Sequence, residues 1–324
     1  MIDQLTYKTI ARLTKRILLF LAFLGALLAS ISLLNRYLFN TYHYKVPENT
    51  TTVICGPSLL GCGVDPTLLP HSVNVSQSGE MYPMTYIKLR EILEQNAEVD
   101  EVMIAFSPGM FTRKLERFLI DVPLFQKKII DRLHPISAPE DYKGWGLEEK
   151  NIWQNFFQYY SLPNWSYLKM LIGIKPKKKK SPFPYIGKFR RVPISVLHET
   201  EEEVLDQLAI KNSEEGAFSE TQLEGVRDII ALCDSFDVRV ILIGIPIYQK
   251  LIQMCPEDVV IRYKELRTEF RETDNVDVFE MSEYVLPDSM YYDASHLNLY
   301  GAQFTTDSLS RWLDTNYKYA NQRQ

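Results

Sequence analysis

The sequence predicts a three-layer α/β sandwich on a mostly parallel five-stranded sheet, with one transmembrane helix before it and a large insertion after the third strand. Three observations carry this. An uncharged apolar stretch lies near the N-terminus, short β-branched runs alternate with helical periodicity beyond it, and residues 111–220 interrupt that alternation.

The 324 residues are 46% hydrophobic and 24% charged, enough apolar material for a buried core and unlike a disordered or collagenous chain. A net charge of −5 removes the electrostatic case for coating nucleic acid, so no nucleic-acid partner is expected. The charge is uneven. Residues 1–44 hold Lys8, Arg12, Lys15, Arg16 and Arg36 against Asp3, a net +4, which leaves −9 for the remainder.

Ile17 to Asn35 is a 19-residue uncharged run, nearly enough at about 1.5 Å per residue to span a hydrocarbon core. Four of the five basic residues precede it, so the positive-inside rule keeps residues 1–16 in the cytoplasm and exports the chain beyond residue 36. The expectation is a single-pass protein of the inner or plasma membrane. It has an anchor at 17–35, a juxtamembrane linker at 36–50 and an extracytoplasmic (periplasmic) domain at 51–324. Tyr37, Phe39, Tyr42 and Tyr44 are expected to form an interfacial aromatic belt. The competing reading is a cleaved signal peptide, for which Ser30-Ile31-Ser32 is the small-x-small candidate.

Along the exported domain, Thr51 to Gly56 and Ser72 to Val75 read as strands, and Tyr86 to Ala97 has apolar residues at 86, 89, 93 and 97, a helical spacing. Val102 to Phe106 reads as the third strand. After the interruption, Leu223 to Cys233 is an amphipathic helix, and Val238 to Ile245 is an apolar run closed by Pro246, as expected of a strand covered on both faces. Val276 to Phe279 is the fifth strand. Ala302 to Leu313 is the final helix, with Leu309, Trp312 and Leu313 on one side.

The insertion at 111–220 is aromatic-rich, as in Trp153 to Tyr160, and carries the basic run Lys175 to Lys180. It reads as a cap over the active face or a partner surface. The lysines suit a solvated loop or a contact with anionic lipid. Cys233 falls on the apolar helix face with Leu223, Val226 and Ile230, where a buried thiol is expected. No Cys/His spacing resembles a zinc site, so no metal and no cofactor is expected. A Cys55 to Cys62 bridge is not expected either, because the end of a strand and a position inside the next helix would be too far apart.

Chemistry concentrates in two places. In Cys55-Gly56-Pro57-Ser58-Leu59-Leu60-Gly61 a serine follows the first strand through a Gly-Pro turn and enters a helix, where its hydroxyl would stand at the carboxyl edge of the sheet. A plain helix N-cap is the alternative role for Ser58. In Asp293-Ala294-Ser295-His296 a carboxylate three residues from an imidazole can fix its tautomer while the other ring nitrogen faces a nucleophile. His43, His71, His134 and His198 have no acid at comparable spacing in a matching block, and Ser76 and Ser78 read as loop hydroxyls.

These blocks resemble those of the SGNH hydrolase superfamily. Gly56-Pro57-Ser58 matches its Gly-x-Ser after the first strand, Gly79 matches its glycine after the second, and Asp293-Ala294-Ser295-His296 matches its Asp-x-x-His before the last helix. The resemblance spans most of residues 51–315 outside the insertion. An anchor followed by Gly-x-Ser, Asp65-Pro66 and Asp-x-x-His-Leu-Asn-x-x-Gly resembles more narrowly the exported members that modify surface polymers, such as alginate O-acetylation proteins and the lipoteichoic acid D-alanylation protein. It implies a flavodoxin-like sheet, a Ser58–His296–Asp293 triad, and an oxyanion hole from the Ser58 and Gly79 N–H groups. The chain departs from the family at two points. Pro57 replaces the usual Asp, and Phe106-Ser107-Pro108-Gly109-Met110 lacks the usual Asn, so Ser107 or the Gly109 N–H would substitute as donor.

Three functions remain open on this reading. One is an O-acyltransferase, most simply an O-acetyltransferase, that loads Ser58 and passes the acyl group to a surface polysaccharide, with a membrane-bound O-acyltransferase as donor partner. The second is an esterase with the same triad. The third is a non-catalytic assembly subunit that keeps the fold.

Overall fold

The computed structural model describes residues 4–41, 44–113, 133, 137, 139–143, 145, 152–153, 187–193, 218–253 and 255–320. Most of the expected insertion, including Lys175 to Lys180 and His134, lies outside them, as do His43 and His198.

Helix α1 (Gln4–Thr41) contains the apolar stretch, and its segment Lys8–Leu34 is long and apolar enough to cross a membrane. Its large side chains are exposed, among them Leu18, Phe20 and Phe23, so no protein core covers them. A water-soluble surface rarely presents such a contiguous apolar band, and this supports a membrane anchor, the one helix of that kind among the described residues. Of the expected aromatic belt, Tyr37 is exposed, but Tyr44 is buried and joins the domain core. The expectation fails there because Asn96 reaches out to the linker. Its amide donates to the Tyr44 carbonyl at 2.8 Å and its Oδ1 accepts from the Val46 N–H at 3.0 Å, drawing Tyr44 inward.

The sheet comprises β1 (Thr52–Cys55), β2 (Ser72–Asn74), β3 (Glu101–Ala105), β4 (Arg239–Gly244) and β5 (Val276–Glu280). Their order is β2-β1-β3-β4-β5 and every pairing is parallel. Parallel neighbours need covered crossovers. Helices α3 (Tyr82–Gln95), α4 (Glu220–Ser235) and α6 (Glu257–Arg271) supply them on one face. The opposite face is covered by α2 (Ser58–Gly63) and the final helix, α7 (Leu299–Ala320). Between α4 and α6, after β4, lies the short α5 (Gln249–Gln253).

Strand alternation divides the core into two layers. Val53, Val102, Ile104, Val240, Leu242 and Val278 face α3, α4 and α6, whereas Ile54, Met103, Ile241, Ile243 and Phe279 face α2 and α7. Both layers exclude water, which is why these strands read as continuous apolar runs. Helix α6 escaped the sequence reading because it is mostly charged, burying only Val259, Tyr263, Leu266 and Phe270 along one stripe. Helix α3 begins at Tyr82 rather than Tyr86, with Pro83 in its first turn where a missing N–H is harmless.

In the strand order 2-1-3-4-5 the chain leaves β1 toward β2 and then crosses back to β3. This places the topological switch, and its crevice beyond the strand ends, between β1 and β3.

Candidate functional site

Ser58 stands at that switch point. Gly56 has φ +142, a conformation L side chains rarely adopt, and a Cβ there would lie 3.5 Å from the Cβ and N of Ala105 at the end of β3. The glycine therefore lets the chain turn sharply off β1 against β3. Pro57 comes next as the N-cap, without a side-chain cap bond, and Ser58 is the first residue of α2. The N-cap alternative for Ser58 is thus set aside, since its Oγ lies 2.8 Å from His296 Nε2.

Asp293 and His296 sit on a two-stranded antiparallel hairpin, β6 (Tyr291–Asp293) and β7 (His296–Leu297), paired directly across Ala294-Ser295. Both carboxylate oxygens of Asp293 lie 2.8 Å from His296 Nδ1. With Nδ1–H donating to Asp293, Nε2 is left to accept from the Ser58 hydroxyl. Asp293 Oδ1 also accepts from the Ser295 N–H at 2.8 Å, an Asx turn that fixes the carboxylate opposite the imidazole. Burial alone would raise the Asp293 carboxyl. The hydrogen bond and charge of His296, with the Ser295 and His296 N–H groups, outweigh that and hold it below its ordinary value. Ser58, Asp293 and His296 are all half-buried, open enough for a substrate to reach.

The rest of the C-terminal block is scaffold. Asn298 Nδ2 donates to the carbonyls of Ser289 (2.7 Å) and Tyr291 (3.2 Å), while its Oδ1 accepts from the Tyr300 and Gly301 N–H groups at the start of α7. A Cβ on Gly301 would lie 2.3 Å from the Met290 carbonyl, so the helix approaches the hairpin closer than any side chain allows. Ala294 is buried against Tyr248 and Leu251 of the β4–α5 segment. Asp65 caps the turn after α2, accepting from the Thr67 N–H and hydroxyl, and its N–H donates to Thr306 of α7. The Asp65-Pro66 and Leu-Asn-x-x-Gly parts of the pattern therefore hold α2, the hairpin and α7 together.

Gly79 lies in the turn before α3 with φ +71, half-buried. The segment leading into this turn is tied to the residue after β1, where Gln77 N–H donates to the Gly56 carbonyl at 2.8 Å. Ser107 lies two residues past the end of β3 and is buried, and its Oγ has no hydrogen-bond partner among the described residues. Gly109 is exposed in the next turn. These three share the strand-end edge with Ser58, but hydrogen bonds join only Ser58, His296 and Asp293 among the expected site residues. His71 lies outside the site, its Nδ1 on the Asn49 carbonyl at 3.1 Å.

Sequence reasoning missed what supports the Gly79 side. Lys88, fully buried, donates to Glu80 Oε2 at 2.6 Å and to the Val75 carbonyl at 2.7 Å. Glu80 Oε1 accepts from Thr85 at 2.8 Å and from the Cys55 thiol at 3.6 Å. This buried pair ties the turn carrying Gly79 to α3 and to the last residue of β1. Asn74 does the same for α2, donating to the carbonyls of Leu60 and Val64. The only signal available was a Lys at an apolar position of α3. All four cysteines are free thiols, and burial pushes Cys233 up to about 12. Among the described residues no group of three or more His, Cys, Asp or Glu side chains could hold a metal ion.

No protein-family model matches the chain, and no curated protein matches it. The fold and the side-chain geometry are consistent with an SGNH-like architecture on structural grounds. The Ser58–His296 pair has the geometry of a serine-hydrolase type of catalytic dyad in a chain with a membrane-anchoring helix.

Proposed function

We propose that the protein is a membrane-anchored extracytoplasmic O-acyltransferase, acting on a cell-surface polysaccharide through an acyl-enzyme on Ser58. The observation that carries this is the continuous chain from Ser58 Oγ through His296 Nε2 and Nδ1 to Asp293, with each link at 2.8 Å. Ser58 Oγ attacks the acyl carbonyl as His296 Nε2 takes its proton. Asp293 stabilises the resulting imidazolium. Collapse of the tetrahedral intermediate returns that proton to the leaving group of the donor and leaves the acyl ester on Ser58. A sugar hydroxyl then repeats the sequence, giving its proton to His296 and taking the acyl group. The N–H groups of Ser58 and Gly79, with the Ser107 hydroxyl, which has no hydrogen-bond partner among the described residues, serve the oxyanion.

The basic flank of α1 favours an extracytoplasmic domain, supplied with acyl groups by a membrane-bound O-acyltransferase. An esterase would use the same triad with water as acceptor. The deciding measurement incubates full-length protein in detergent with p-nitrophenyl acetate and an oligosaccharide, with mass spectrometry of the sugar as readout. Acetylated sugar is the expected product. Acetate alone at saturating acceptor assigns the protein to the esterases, and no turnover at all assigns it to the assembly subunits.

A further inference from the structure

The insertion leaves and re-enters the domain at one point. Thr112 pairs with Phe218 in an antiparallel bridge, and Ser219 N–H donates to the Phe111 carbonyl at 2.7 Å. Its described pieces nevertheless grip both faces of the sheet. Asp141 pairs with Arg90 of α3 at 3.1 Å on one face, and residues 187–193 form a strap that bonds α2 and α7 on the other.

The strap is held by its backbone at three points. Lys188 N–H donates to the Ser76 carbonyl at 3.1 Å, Arg190 N–H to the Gly61 carbonyl at 2.6 Å, and the Val192 carbonyl accepts from the Leu299 N–H at 3.2 Å. Each contact falls on a different part of the proposed machinery. Ser76 lies in the segment that leads to Gly79, Gly61 is three residues past Ser58 in α2, and Leu299 is three past His296. Two of these groups are orphans of helix ends. Gly61 is in the last turn of α2, and the Asp65 N–H that would bond its carbonyl in a longer helix donates instead to Thr306 of α7 at 2.9 Å. Leu299 opens α7, where the first N–H groups have no partner inside the helix.

Both ends of the strap fix its register. Gly187 has φ +77, and a Cβ there would collide with the carbonyls of Val75 and Ser76, so only glycine seats the chain on the end of β2. Val192 is buried at the other end. In between, burial pushes the Cys62 thiol up to about 11, while Arg190 pulls it down and Asp293 pushes it up. The middle of the strap and the acid of the triad are therefore both within electrostatic reach of one residue of α2. Asn74 joins β2 to α2, and Asp65 joins α2 to α7, each pairwise. The strap alone joins all three.

We propose that residues 187–193 are a positioning segment, holding the nucleophile helix, the turn that carries Gly79 and the start of α7 in one register through main-chain bonds. This deepens the acyl-enzyme reading and rests on it for the reaction that is positioned. The clamp itself is testable without turnover. Reacting groups misplaced by about 1 Å lose on the order of 10²-fold in rate, so release of the strap should appear in kcat rather than in KM.

The test uses full-length protein in detergent, with p-nitrophenyl acetate as substrate and a fluorophosphonate as probe of Ser58. Arg190→Pro deletes the N–H that serves Gly61, and Gly187→Ala lifts the strap from β2. Each should lower kcat about a hundredfold and slow labelling of Ser58 by a similar factor, with KM within about twofold. Arg190→Ala keeps the N–H and should regain most of what Arg190→Pro loses. Arg191→Ala removes an exposed side chain and no main-chain bond, and should match wild type. Hydrogen exchange read by mass spectrometry then compares wild type with both strap variants. Protection should fall together in 58–64, 76–80 and 296–302 while the central strands keep theirs, which also shows that the variants are folded. Wild-type kcat in both, equal effects of Arg190→Ala and Arg190→Pro, or protection lost only within 187–193 would overturn the proposal. Protection lost through the whole sheet in both variants would make the strap a folding element and overturn it as well. Neither turnover nor labelling in wild type would remove the acyl-enzyme reading, and the joint loss of protection would then support the clamp alone.

Discussion

The two halves of the site are built differently. The acid–base half lies within Asp293 to Gly301, and its bonds are local: Asp293 to Ser295, Asp293 to His296, and Asn298 to Tyr300 and Gly301. The half proposed to supply the nucleophile and the oxyanion donors draws Ser58, Gly79 and Ser107 from three strand ends. It is held by Asn74 gripping α2 and by the Glu80–Lys88 pair gripping the turn after β2. A local half is stable because neighbours along the chain enforce it. An assembled half exists only while the sheet aligns its strand ends.

Changes to the reacting atoms should have the largest effect, and they test whether the halves act as one unit. Ser58→Ala and His296→Ala should each lower turnover of an activated ester by up to about a million-fold, as triad members do when they act together. Thermal unfolding should shift by no more than about 1 kcal/mol, because both side chains are half-buried and outside the core. Stopped assays and melting curves on the same preparations check both outcomes, and a variant retaining full turnover breaks the assignment.

Asp293→Asn should rank second, costing about 10⁴-fold in kcat by disfavouring the productive imidazole tautomer. It also has a pH signature. Because the folded Asp293 carboxyl lies below its ordinary value of 3.8, its contribution to stability is present above that value and lost as pH falls through the lowered one. Wild type should therefore be more stable than Asp293→Asn at neutral pH, with the difference closing in strong acid. Urea titrations across the acid range measure it.

The assembled half should respond more to Lys88→Met. Leaving Glu80 buried without its partner should destabilise the fold by about 3–5 kcal/mol, and Glu80→Gln combined with Lys88→Met should recover part of the loss. Equilibrium unfolding compares the single and double variants. If the pair also positions Gly79, the double variant should lose kcat more than it raises KM. Asn298→Ala should be mildest, at about 1–3 kcal/mol for the carbonyls of Ser289 and Tyr291 left unpaired. Its hydrogen-exchange protection should fall in the hairpin and the first turn of α7 alone. Loss spread over the whole sheet would mean that the local half is not local.

The same contrast separates what the sequence determined from what the tertiary structure decided. The anchor helix, the order of strands and helices, the Gly-x-Ser turn and the Asp-x-x-His pair were legible, because each depends on spacing within about ten residues. The left-handed conformation of Gly56 and the close approach at Gly301 explain two glycines already present in those motifs. Tyr44 was misplaced at the membrane interface, since an aromatic residue beside an apolar helix looks alike whether it faces lipid or a core, and the Asn96 amide, 52 residues away, holds its carbonyl against the domain. Helix α6 was hidden by its charged surface. Lys88 went unread because nothing near it in the sequence shows that folding places Glu80 and the Val75 carbonyl around its ammonium. That 2.8 Å separates Ser58 from His296, 238 positions apart, is likewise a fact of the sheet. Periodicity and short motifs record interactions between chain neighbours, whereas the partners of a buried polar group come from elements whose proximity is set only when the strands pair and the helices close over them.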